Sequence, residues 1–139
     1  MKPILAASAA LALYLGWRSW GWPLIHDAPI MHYIAWLVAQ RTRLFETIAP
    51  VRRMAIRLAP RSRPIAAELA RADLILRDHL AGLFAPELTA LRPRERAEAI
   101  EALDALTSWE TWERLRSAQR LEVDGAARVV TAMALGVLW

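Results

Sequence analysis

The stretch that decides the fold is residues 92–118, RPRERAEAIEALDALTSWETWERLRSA. Pro93 loses nothing at a first helical position, where its missing N–H would have no partner, and the acids Glu95, Glu98 and Glu101 that follow favour the positive helix end. No further proline or glycine interrupts it, so the expected element is a rod about 40 Å long at 1.5 Å per residue, the longest in the chain. Its apolar residues Ile100, Leu103, Leu106, Trp109, Trp112 and Leu115 recur every three residues. A straight helix needs a mean near 3.6, so this apolar line winds around the rod. Such a helix requires neighbours on two or more sides, which makes it a central or interface helix.

Immediately upstream, Ser62 and Pro64 open IAAELARADLILRDHLAGLF, in which Ile65, Leu69, Ala72, Leu76, Leu80 and Leu83 are spaced by threes and fours. That is an amphipathic helix, brought to its end near Phe84 by Gly82 and Pro86. Residues 85–91 read as a linker. Downstream of the central stretch comes a break over residues 119–125 and then a last helix. In it Val123, Ala126, Val130, Met133 and Val137 form a heptad-like seam, with alanines and Gly136 allowing close backbone approach. Before Ser62 the basic segment 40–63 is broken by Pro50 and Pro60, which predicts two short helices over residues 41–49 and 51–58. Its arginines face either solvent or an anionic partner.

Charge divides the chain unevenly. Residues 1–40 hold only Lys2, Arg18 and Asp27, whereas the remaining 99 hold 16 arginines against 13 acids. The alternation of basic and acidic residues along the later helices describes solvated faces, not a stripe that tracks phosphates. There is no cysteine, hence no disulfide, thiolate metal site or cysteine nucleophile. The first apolar run, residues 3–17, is about 15 residues long, short of the roughly 20 a spanning helix needs. Trp17, Trp20 and Trp22 beyond it suit a membrane interface and Lys2 a cytoplasmic start. A membrane anchor over residues 1–22 is the expectation, with a buried core helix as the competing one. The run 28–39 predicts a short apolar helix whose N-terminus Asp27 caps. Asp27 and His32, five apart, fall on different faces of a helix and make no metal site.

Two resemblances attach to these residues. A hydrophobic first helix, a loop with Trp and Pro, and then HDAPIMHYIAWL (residues 26–37) resembles the start of membrane glycosyltransferases that use polyprenyl-phosphate sugars. The resemblance implies Asp27 as the base toward the acceptor. The later spans and lipid-phosphate site of such enzymes have no counterpart in the chain. The second likeness covers residues 42–139. Phe84, Pro86, Glu87 and Leu88, followed by Leu106, Thr107, Ser108, Trp109, Glu110, Trp112, Leu115 and Arg116, are similar to a pattern in the C-terminal domain of TetR-family transcriptional regulators. This implies an all-helical ligand-binding and dimerisation domain whose last two helices pair with their copies. No helix-turn-helix precedes it, Glu122 is a poor cap for the last helix, and Gly125 falls in that helix's first turn.

The fold class expected is therefore all-α, an antiparallel bundle of TetR C-terminal type (residues 41–139) behind a hydrophobic N-terminal helix (residues 1–40). The function expected is a non-enzymatic sensor and dimerisation domain, without cofactor, metal or sequence-specific DNA binding. Its place is the cytoplasm, at the inner face of the cytoplasmic membrane if residues 1–22 anchor it; a fused or truncated glycosyltransferase start is the alternative. A small apolar ligand is expected between the central helix and the helix of residues 65–84, against Trp109, Trp112 and His79, with ordinary core packing the other possibility for each tryptophan. A homodimer is expected through Leu115, Val130, Met133 and Val137.

Overall fold

A computed structural model describes residues 28–138. The described chain is all helical: α1 (Ala28–Leu58), a 3-10 turn (Ala59–Arg61), α2 (Arg63–Leu83), α3 (Ala85–Thr89), α4 (Pro93–Leu106), α5 (Trp109–Glu113), a π turn (Arg114–Ala118) and α6 (Val123–Leu138). Among the described residues no helix is long and apolar enough to cross a membrane. Residues 1–22 and Asp27, on which the anchor and acceptor-base expectations rest, lie outside the described part.

The longest element is α1, with 31 residues, where the prolines had predicted short pieces. Pro50 lies inside it and cannot donate to the Glu46 carbonyl, a loss that with ring crowding typically costs about 3 kcal/mol. Two circumstances offset it. Pro50 is exposed, and the inward stripe Met31, Ile34, Val38, Arg41, Phe45, Ala49 and Arg52 passes it without a break at spacings of three and four. A stripe that continues through a proline rewards a bent helix over a broken one. The boundary expected at residue 40 falls within α1, and Ile34, Leu37 and Val38 belong to the same core as Phe45 and Val130.

After the 3-10 turn α2 returns against α1. Ser62 Oγ accepts from Ile65 N at 3.4 Å, so the predicted start of α2 stands. Arg52 Nη2 reaches Asp73 at 2.9 Å and Arg41 Nη2 donates to the Leu76 carbonyl at 2.8 Å, tying the two helices. The expected linker carries a helical turn, α3, whose C-terminal carbonyls are taken by one side chain: Arg96 donates to Leu88, Thr89 and Leu91. Glu95 accepts from the Arg92 N–H at the start of α4.

The predicted 40 Å rod is two helices. Thr107 ends α4 and Ser108 caps α5, its Oγ accepting from Thr111 N at 3.2 Å. The break resolves the three-residue period. A straight helix would carry Leu103 and Leu115 to different sides, but restarting at Ser108 resets the phase, so Leu103, Leu106, Trp109, Trp112 and Leu115 are all buried in one core. Two residues beyond the π turn, Arg120 has a φ of 57°, the left-handed conformation that glycine usually supplies. The Leu121 N–H closes on the Leu115 carbonyl at 3.0 Å. α6 then packs against α1 and α4 with Ala126, Val130 and Ala134 facing in. Two alanines at that spacing let it approach both neighbours closely, so the small residues serve packing within the chain.

Candidate functional site

Trp109 and Trp112 both lie in the core, each 3% exposed. Trp109 meets Phe45 edge-on, ring centroids 5.7 Å apart and planes at 76°, a favoured aromatic geometry. Trp112 lines a small cavity at the α4–α5 break together with Val38, Arg41, Thr42, Phe45, Leu106, Thr107, Ser108 and Val130. Its space is ≈ 10 Å³, enough for about one water. Thr42 Oγ1 is buried there with no protein partner. The cavity lies between α1, the break and α6. Neither Trp109 nor His79 lines it. His79 is an exposed residue whose ring sits 5.3 Å from Trp36. Partial burial, with the positive Arg41 adding to it, holds its pKa below the usual histidine value.

The densest polar arrangement is a clamp between α1 and the α5–π segment. Glu46 accepts from Trp112 Nε1 at 3.0 Å and from Arg116 Nη2 and Nε at 2.7 and 3.2 Å. Arg116 also donates to the Leu121 carbonyl at 2.7 Å, joining the turn before α6. One helical face further along α1, Arg53 holds Glu113 through two bonds of 2.7 and 3.0 Å, and Ser117 donates to the same carboxylate. The Arg53 guanidinium lies 5.9 Å from the Trp109 ring centroid, within cation–π range. The bond from Arg116 is the main reason that the Glu46 pKa is lowered, with Trp112 adding to it. Arg53 does the same for Glu113, with Ser117 adding. Burial lowers the pKa of Arg41 while Asp104 opposes the shift; a guanidinium stays charged regardless.

Of these residues the sequence points to Trp109, Trp112 and Arg116 but not to Glu46, Arg53 or Glu113 as their partners. Their partners are 60 to 70 positions apart, and the only local hint is that Glu46 and Arg53 are two turns apart on α1, as Trp109, Trp112, Glu113 and Arg116 lie along one helical face. The clamp is structural chemistry: it neutralises charges and fixes the tryptophans. Among the described residues no three His, Asp or Glu side chains are placed to share a metal ion.

The residues expected at a dimer seam differ in how much surface they leave free. Leu115 and Val130 are 5% and 4% exposed in the isolated chain, and Val137 packs against the core. A core residue has little surface left to give a partner. Only Met133 faces out, at 37%. The outward stripe of α6 is instead Val129, Ala132, Met133 and Gly136, all exposed and none polar, at the three- and four-residue spacings of one helix face.

Comparison of the chain with known protein families, with curated proteins and with solved structures finds no match.

Proposed function

We propose that the chain is a non-catalytic helical module that pairs with a second copy of itself, in the manner of the C-terminal domains of TetR-family regulators that residues 84–116 resemble. The observation that carries this is the outer face of α6. From Val129 to Leu138 no residue is charged, although Val129, Ala132, Met133 and Gly136 face solvent. A Cβ added at Gly136 would meet nothing within 4 Å, so a neighbouring helix has room to approach there. Apolar residues scattered singly on a surface need no explanation, but two turns of helix without a polar side chain on the open side fit a helix-pairing seam.

Ligand sensing belongs to the same proposal. A small apolar ligand would enter at the Thr107–Ser108 break, where Trp112 and Val130 already line a cavity of one water's size, by moving α5 away from α1. Val130 lies under the proposed seam, so the two events would share an element.

The test is sedimentation equilibrium on the full chain at tens of micromolar. The wild type is expected to be dimeric and Met133→Arg monomeric, because an arginine would sit where no acid waits. Met133 is exposed, so the substitution leaves the core alone. A monomeric wild type, or a dimer that Met133→Arg leaves intact, would remove the basis for the pairing.

A further inference from the structure

Between Arg52 and Leu80 no residue is fully buried. The end of α1, the 3-10 turn and the first half of α2 therefore project beyond the core as a two-helix hairpin, joined inside by small or half-buried residues such as Ala55, Ile65, Leu69 and Ala72, while Leu76 and Leu80 hold the second half of α2 to the core. Its outer surface combines two features. Leu44, Val51, Met54 and Leu58 follow one another at steps of seven, three and four on the side of α1 opposite its core stripe; Val51 is 73% and Met54 52% exposed. Around them stand Arg43, Arg57, Arg61 and Arg63, all exposed. Among the described residues no carboxylate lies within salt-bridge distance of these four. Over residues 28–67 the sequence has seven arginines and a single acid, Glu46, which is already held by Arg116 and Trp112.

Exposed aliphatic side chains and unpaired cations on one protruding tip call for a partner that is apolar and negative in adjacent layers. We propose that the α1–α2 hairpin docks on an anionic lipid surface, with Val51, Met54 and Leu58 entering the boundary between headgroups and acyl chains and Arg57, Arg61 and Arg63 on lipid phosphates. An interfacial helix gains both from apolar area placed a few ångströms below the headgroups and from attraction to anionic lipid. A nucleic acid offers the arginines the same phosphates but gives the aliphatic residues nothing to cover them, and residues 46–78 contain no aromatic side chain to stack on bases. A second copy would cover the aliphatic stripe only by bringing the same four arginines together. This surface is separate from the outer face of α6 and does not depend on self-association.

The chain has no cysteine, so the full protein can be labelled at one engineered position. Met54→Cys carrying an environment-sensitive NBD fluorophore is compared with Ala97→Cys, on the exposed side of α4, in the presence of phosphatidylcholine vesicles with and without phosphatidylglycerol. The expected result is a blue-shifted, brighter emission at position 54 with the anionic vesicles only, and no change at position 97. In the Arg57→Gln, Arg61→Gln, Arg63→Gln background the partition coefficient read from that signal should fall about 100-fold, at roughly one kcal/mol for each basic residue near the surface. Far-UV circular dichroism verifies that each variant keeps its helices. Vesicle flotation without a change at position 54 would place any membrane contact in residues 1–22 and overturn the proposal. A change at position 54 with duplex DNA but not vesicles, or on raising protein concentration alone, would overturn it in favour of a nucleic acid or a second copy.

Discussion

Replacing Glu46 by alanine should destabilise the fold by about 2–3 kcal/mol, and the figure can be assembled from its three bonds. The Trp112 Nε1–H loses its acceptor while its indole is 3% exposed; a buried donor left without a partner costs about 1–3 kcal/mol. Arg116 loses two charge-assisted bonds, but its side chain is 27% exposed and keeps the Leu121 carbonyl, so water recovers most of that loss and about 0.5–1 kcal/mol remains. Glu46→Gln keeps an acceptor for Trp112 and should cost about 1 kcal/mol. Urea unfolding followed by far-UV circular dichroism reads both differences. The pH dependence gives a second check. The Glu46 pKa is lowered in the folded state, so the folded protein binds fewer protons there than the unfolded chain. Its contribution is fully present above the ordinary glutamate value and is lost as pH falls through the lowered one. The acid side of the stability curve should therefore flatten in Glu46→Gln. An alanine variant within about 0.5 kcal/mol of wild type, with the same acid limb, would show that the clamp does not hold α5 to α1.

Other substitutions probe the backbone. Gly125→Ala should stabilise α6 by about 0.5–1 kcal/mol in thermal or urea unfolding, because the added methyl meets only Arg128 Nη2 at 3.7 Å and Leu121 Cβ at 3.9 Å. Arg120→Gly should stabilise by about 1 kcal/mol, since the residue holds a positive φ that costs a side chain-bearing residue roughly that much. Ser108→Ala should cost about 1 kcal/mol by removing the cap of α5; if the cost is absent, the break between α4 and α5 is not maintained by that cap. In hydrogen exchange, amides over residues 54–72 should exchange well before those around Phe45, Leu103 and Trp112, because a projecting two-helix tip opens without disturbing the core. Uniform protection would show instead that the hairpin unfolds only with the whole domain.

What the sequence determined by itself was the helical class and the elements whose signals are local. The spacing of Leu69, Ala72, Leu76, Leu80 and Leu83, the cap at Ser62 and the proline at the head of α4 each act within a turn or two of their own position, and α2 and α4 begin where those signals put them. The Ser108 cap is equally local, but with no glycine or proline beside it the surrounding pattern continues as one helix. Pro50 erred in the other direction: a local breaker was overruled because the buried stripe of α1 runs past it. Which face of α6 is free could not be read from its sequence at all. Val129 and Val130, or Met133 and Ala134, are chemically alike neighbours, and only the placement of α1 and α4 decides that Val130 and Ala134 turn inward. The clamp has the same origin. Glu46, Arg53, Glu113 and Arg116 are ordinary surface-type residues in sequence and become a unit only when α1 and α5 are packed side by side, since contact between residues 60 to 70 positions apart is a property of the tertiary fold and not of any helix taken alone.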